Sequence, residues 1–391
     1  MSANHKKTVL YPSIIAFLLL LVVVLMGVLV VKSAKTGQGG GANQSLGADY
    51  TSDKVYEWSL VTTWPKNFPG IGMAPENFAR LLDEMSNGRL KVKVYGANQL
   101  VPAMGVFGAV SNGSAQMGHG AAYYWRGKIP AAVFFASVPF GMTAQELNGW
   151  LHYGGGLALW REIYAEHNLV PFAAGNTGVQ MGGWFNKEIN SVDDIQGLKM
   201  RIPGIGGDVF SRAGGAAVNI PGGELYTAMQ SGVIDATEWV GPYNDLAFGF
   251  HRIAKYYYYP GWQEPGPALE IIVNKDAYQS LPNDLQVMVA TAARAVNQDM
   301  LDEYTARNND ALVELIERHN VDVRPFPDDV LKHFADISQQ LYQEYADTDP
   351  VFKKVFNHYN EYLYKVRGYH MLSEQAYLEA REKALPIESA H

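Results

Sequence analysis

The sequence predicts an α/β protein of two successive units followed by a helical tail, and three patterns predict it. Strand-like and helix-like segments alternate from Lys54 to about Trp125 in the order β-α-β-α-β, which points to an open, largely parallel sheet. A second alternation occupies roughly residues 176 to 264. From about Asn283 to Leu385 the chain reads as mostly helical. At 391 residues it is long enough for two domains, or for one large α/β unit with appended helices.

Each element rests on a local signal. "KVYEWSLVTTWP" (54–65) alternates apolar and polar residues with aromatic and β-branched content, an opening strand. "APENFARLLDEMSNGRL" has Pro75 near its start, a 3.6-residue apolar period and Gly88 just past its end, a helix. "KVKVYG" is a second strand, "VPAMGVFGAVSNGSA" a helix, and "QMGHGAAYYW" a third strand with its loop. "QELNGWLHYGGGLALWREIYAEHN" (145–168) reads as one helix despite its three central glycines. "LVPFAAGNTGVQMGGWFN" is strand, loop and strand, and "VDDIQGLKMRIP" is a helical turn followed by a strand carrying Arg201. "GGDVFSRAGG" is a helix, "GGELYTAMQSGVIDATEWV" a helix leading into a strand, and "ALEIIVNKDAY" a further strand. The run of four tyrosines, 256–259, reads as a strand packed on both faces.

Composition narrows the function. Hydrophobic residues are 48% of the chain and charged ones 18%, as in a folded body. A net charge of −8 with no basic stripe argues against nucleic acid as a partner. The absence of cysteine excludes disulfides, thiolate catalysis and Cys-ligated zinc.

His5, Lys6 and Lys7 precede an uncharged run of 23 residues, 9–31. At about 1.5 Å per residue it gives roughly 34 Å of helix, enough for a bilayer core of about 30 Å. Lys32 and Lys35 stand where a cleavage site prefers small neutral residues, so an uncleaved anchor is expected over a cleaved signal. Either one exports the body to the periplasm. Residues 32–53 read as a flexible Gly/Asn/Ser tether.

Enzyme signatures fail. "GIGGDV" starts like a dinucleotide loop, but Val209 replaces the third glycine. There is no G-x-S-x-G elbow, Walker A loop or H-E-x-x-H helix, and the ten histidines lack ligand spacing.

Arg201 is the sharpest feature. Met200, Ile202 and Pro203 flank it, and no carboxylate lies within the five preceding residues. Its partner is therefore distant in the chain or is no part of the chain. Guanidinium grips a carboxylate with two parallel hydrogen bonds, so a guest anion is one answer. Glu238, at the end of an apolar strand beside Trp239, is the other. Gln180 is an amide among small residues that needs partners if buried, and Gln263 and Glu264 sit in a loop braced by Pro260, Pro265 and Pro267. Tyr123 and Tyr124 form an aromatic pair suited either to the core or to the polar end of a small ligand.

Residues 177–215 and 222–266, together with "FFASVPFGMTAQELNGWLHYGGG" (134–156), resemble the substrate-binding proteins of TRAP transporters, the DctP family. The likeness is strongest to the branch that binds α-keto acids, lactate and related monocarboxylates, and it covers about residues 54 to 385. It implies a periplasmic-binding-protein-like fold of two α/β domains joined by a hinge, residues 54–175 with part of 265–300 and residues 176–264. A C-terminal helical region, 283–391, would follow, with homodimerisation through a terminal helix. The resemblance gives Arg201 the ligand carboxylate. It gives Gln180, Glu238 and the Trp239 carbonyl a metal ion, with Gln263 or Glu264 completing the set, and places Tyr123 and Tyr124 at the ligand. An all-oxygen donor set suits a hard ion, sodium or calcium. The implied partners are a small organic carboxylate and the membrane subunits of DctQ and DctM type.

Two other classes fit an exported carboxylate-binding body: an anchored sensory protein for organic acids and an extracytoplasmic enzyme acting on a carboxylate.

Overall fold

The computed structural model describes residues 54–385, so the expected anchor at 9–31 and tether at 32–53 lie outside it. No described helix is long and apolar enough to cross a membrane.

Two mixed sheets organise the body. The first has the order β2-β1-β3-β10-β4. It comprises β1 (Tyr56–Thr62), β2 (Leu90–Tyr95), β3 (Met117–Gly120), β4 (Leu169–Asn176) and β10 (Ala268–Asn274). β1 runs parallel to β2 and β3, while β10 is antiparallel to both β3 and β4. The second has the order β11-β9-β5-β8-β6-β7. Its strands are β5 (Gly183–Phe185), β6 (Lys199–Arg201), β7 (Ala216–Val218), β8 (Ala236–Thr237), β9 (Tyr256–Tyr259) and β11 (Asp322–Pro325). β8, β6 and β7 are mutually parallel, and β5 is antiparallel to both β8 and β9. Helices cover the sheets, which leaves β10 buried along its whole length, with a near-continuous apolar run, and β1 buried mainly toward its C-terminal end.

Three segments pass between the sheets. Residues 177–182 connect β4 to β5 and residues 260–267 connect β9 to β10. They run side by side: Gln180 N donates to the Glu264 carbonyl at 3.1 Å, and Gly261 N donates to the Gln180 carbonyl at 2.9 Å. The third is the 35-residue helix Asn283–Glu317. Its Asn297 accepts from Gly175 N of β4 at 3.2 Å, and its Asn308 accepts from Tyr243 N beside the second sheet at 3.0 Å.

Several expectations need correction. Residues 145–168 form two helices, Ala144–His152 and Gly156–Ala165, because the glycines break the run. Gly155 takes φ +91°, a left-handed conformation, and a Cβ on Gly156 would meet the Trp150 ring at 2.6 Å. The tyrosine strand is packed only at its centre. Tyr257 stacks on Trp184 at 4.1 Å and Tyr258 on Phe326 at 4.9 Å, whereas Tyr259 is 42% exposed. β7 and β11 are strands that the sequence pattern did not mark.

Candidate functional site

The crossing segments and the strand ends beside them carry the residues singled out in the sequence. Arg201 is the last residue of β6, and Glu238 follows β8, its neighbour in the sheet. Gln180 lies on the first crossing segment, and Gln263 and Glu264 on the second. Tyr123 and Tyr124 occupy the single helical turn after β3 and reach over from the first sheet. Tyr124 is half-buried, and the other seven, Trp239 included, are buried.

Arg201 is not the unpaired guanidinium its local sequence suggests. Its Nη1 donates to Glu238 Oε1, an ion pair in which each side chain is 1% exposed. The same nitrogen donates to the Glu238 carbonyl at 2.9 Å, Nε donates to the Ile220 carbonyl at 3.2 Å, and Nη2 donates to Tyr124 Oη at 3.3 Å. The Trp239 ring lies 5.4 Å from the guanidinium carbon, a cation–π contact. Four of five N–H groups are thus engaged, and one on Nη2 remains.

The acceptors are more plentiful than the donors. Gln180 Oε1, Glu238 Oε2 and Gln263 Oε1 are buried with no donor. The two amides are held by their other ends: Gln180 Nε2 donates to Thr177 Oγ1 at 3.2 Å, and Gln263 Nε2 donates to the Met181 carbonyl at 2.9 Å. Three orphaned oxygens within one buried group are unusual, because leaving such an atom unpaired costs about 1–3 kcal/mol. All three belong to side chains to which the family resemblance gives a metal ion, Gln263 there as an alternative to Glu264, and amide and carboxylate oxygens are the donors a hard cation takes. Glu264 differs: its Oε2 accepts from Tyr123 Oη at 3.4 Å.

Burial sets the electrostatics. It pushes the Glu264 carboxyl up to about 7 although Arg201 pulls it down. It also drives Glu238 well above the usual carboxylate range, with Glu264 and Asp245 adding to the rise and Arg201 opposing it. Tyr124 is pushed up to about 12 by burial, and Tyr123 is raised well above the usual phenol range by burial and then by Glu264. Burial lowers the Arg201 pKa, but Glu238 and the tyrosines outweigh it, so the guanidinium stays charged.

Sequence reasoning missed the residues that close this region. Trp64, 1% exposed, packs from the first sheet onto Trp239 at 5.9 Å and Tyr124 at 5.8 Å. Its indole donates to His119 Nδ1 at 2.8 Å, and His119 Nε2 lies 3.1 Å from the Ala174 carbonyl. His119 is held down to about 4 by burial, so it is neutral near pH 7. Farther out, Arg126 of the first unit reaches Asp208 Oδ2 of the second at 2.5 Å, and the Tyr345 hydroxyl donates to the same oxygen at 2.6 Å. The aromatic "TTWP" at 62–65 was a visible signal for Trp64. Nothing local marks Arg126 or Asp208.

Comparison with known proteins bears on the family and the fold. The profile of the DctP family, bacterial extracellular solute-binding protein family 7, matches residues 60–349. A monocarboxylate 2-oxoacid-binding periplasmic protein of Nostoc sp. is 43% identical over 320 residues, 82% of this chain and 87% of that protein. A TRAP periplasmic solute-binding protein of Pseudoalteromonas atlantica, solved with sodium and pyruvate, superposes with a TM-score of 0.81 at 47% identity, covering 83% of this chain and 99% of its own. One from Colwellia psychrerythraea, solved with calcium and pyruvate, gives 0.81 at 45% identity, covering 84% and 100%.

Proposed function

Because this chain belongs to the DctP family of bacterial extracellular solute-binding proteins, we propose that it binds a small 2-oxo or 2-hydroxy monocarboxylate together with a metal ion. It then delivers the acid to TRAP membrane subunits of DctQ and DctM type. The observation that carries this reading is the set of orphaned oxygens, Gln180 Oε1, Glu238 Oε2 and Gln263 Oε1, beside a charged guanidinium.

The roles follow from the donors and acceptors. Arg201 supplies the counter-charge to the guest carboxylate, through its remaining Nη2 N–H and through bonds it exchanges when Tyr124 yields. Gln180, Glu238, the Trp239 carbonyl and Gln263 hold the ion, which supplies positive charge between the guest and Glu238. Gln263 serves here rather than Glu264, whose Oε2 already accepts from Tyr123. Tyr123 and Tyr124 close the guest from the first lobe.

Charge bounds the choice of ion. With Glu238 and Glu264 ionised, a guest carboxylate makes three negative groups against one guanidinium. A divalent ion neutralises the set. Sodium does so when Glu264, whose carboxyl is pushed up to about 7, keeps its proton. Calcium and sodium each accompany pyruvate in the two solved relatives.

Closure is a population shift. A guest that touches Tyr124 of one lobe and Arg201 of the other binds the closed form better than the open one, and only that difference moves the equilibrium. Chemistry is not part of this role, because binding and release need no bond change. The body works outside the cytoplasm, tethered by residues 9–31. The helix Pro350–His370 and the segment after it expose Tyr364, Tyr369, Leu372 and Tyr377, which suits pairing with a second copy.

Native mass spectrometry with elemental analysis of the purified protein tests this reading. It should show one small organic acid and one sodium or calcium per chain. Protein that takes up neither when both are supplied refutes it. Light scattering that finds only monomers would reject the dimer, and turnover of an offered 2-oxo acid would favour the enzyme.

A further inference from the structure

A second hollow lies at the opposite end of the second sheet. Strand β9 runs from Tyr256 toward the loop of Gln263, and β5 runs from Gly183 away from Gln180. The hollow sits at the far ends of both, about 13 Å off along a four-residue strand. Its volume is about 340 Å³, and its polar lining is Asn186, His251, Arg252, Lys255, His319 and Asn320. It belongs to neither the metal ligands nor the carboxylate grip.

Its charge is anomalous. In a chain of net charge −8, no acidic side chain lines it. Arg252 and Lys255 make no ion pair among the described residues, and the Lys255 ammonium rests over the Tyr256 ring at 5.1 Å. The carboxylates around it have closer partners: Asp322 and Glu188 pair with Arg324, and Glu314 pairs with Arg318 at 3.5 Å, while Asp322 acts on Lys255 and Glu314 on His251 only through space. The imidazoles of His251 and His319 stack 3.9 Å apart, and His251 Nδ1 is buried with no partner. His319 Nε2 stays 3.9 Å from Glu314.

We propose that this hollow binds a phosphate-type oxyanion, gripped by the Arg252 fork, the Lys255 ammonium and an N–H of the His251–His319 pair. Guanidinium matches two oxygens of a tetrahedral anion and ammonium a third. An imidazole nitrogen that finds no acceptor or donor in the protein gains one from the guest. The volume exceeds that of a bare phosphate and leaves room for an organic group, as in a free phosphate ester or a lipid headgroup at the membrane surface.

The test uses the full chain, with inorganic phosphate and glycerol phosphate titrated by calorimetry against chloride of equal ionic strength. A parallel arm sediments the protein with phosphatidylglycerol vesicles. We expect saturable binding in at least one arm, weakened roughly 10-fold by Arg252→Ala and again by Lys255→Ala. His251→Ala should weaken it as well. The 2-oxo acid affinity should stay unchanged in all three variants, which shows that they are folded and separates this site from the one between the sheets. Binding to free phosphates alone assigns a soluble ester, and binding to vesicles alone assigns a headgroup. No saturable binding in either arm, or equal affinity in the Arg252→Ala/Lys255→Ala protein, overturns the proposal.

Discussion

Arg201 and Glu238, 37 residues apart, form an ion pair sealed from solvent, yet the carboxylate satisfies only one of its two oxygens within the protein. A buried pair that is complete is a structural brace, and this one is not complete. Arg201→Ala should weaken 2-oxo acid binding by more than about 100-fold, because the guest loses a charge-assisted pair in a dry site. Arg201→Lys should also bind weakly, having lost the fork. Calorimetry that returns near-native affinity for the alanine variant would refute the role. Unfolding should be measured alongside, since stranding Glu238 costs about 3–5 kcal/mol unless it takes up a proton.

Removal of cations should act on the same site from the other side. After chelation and exchange into choline buffer, affinity for the acid should fall at least roughly 10-fold, and added sodium or calcium should restore it. Gln263→Ala should blunt that restoration more than Glu264→Gln does. Acid binding indifferent to both ions would remove the metal from the mechanism.

Arg126 and Asp208 join the lobes at the rim, with side chains 35% and 28% exposed. Solvent screening discounts such a pair, so Arg126→Ala should raise Kd only about 2- to 5-fold. The change should lie in the dissociation rate, because a pair that bridges the two lobes must break before they part to release a guest. Tyr345→Phe should show a smaller effect of the same kind. Stopped-flow traces with an unaltered dissociation rate would count against the latch.

Glu270, in the middle of β10, receives the Trp125 indole on Oε1 and nothing on Oε2. Burial pushes its carboxyl from 4.5 up to about 8. The folded protein therefore holds a proton that the unfolded chain releases above about 4.5, so this group's contribution to stability is full below that pH and is lost as pH rises toward 8. Glu270→Gln should flatten the fall of Tm between pH 5 and 9. Glu264 and Asp245, raised to about 7 and about 6, act with the same sign in both proteins and cancel in the comparison. Parallel profiles would show that Glu270 does not titrate in this range.

What could be read in advance depended on length and locality. β1 and β10 carry seven residues each, enough for apolar and β-branched content to declare a strand. The three residues of β7 cannot show a period, and the charged "DVRP" of β11 pairs only because β9 offers an edge. Arg201 was conspicuous because its surroundings were apolar, whereas its pairing with Glu238 is a product of strand order. Arg126, Asp208 and Tyr345 are ordinary in sequence, separated by 82 and 137 positions, and meet only through tertiary packing. Between Gln263 and Glu264 the question was one of phase along a loop, which composition does not encode.

The turn at 122–126 sends Tyr123 to Glu264, Tyr124 to Arg201 and Arg126 to Asp208. Three errands are thus wired into five consecutive codons. A lineage acquiring a new cargo can revise the pocket wall one position at a time elsewhere, but a single insertion here would misdirect all three together. Natural drift and laboratory recombination alike must therefore inherit that turn whole.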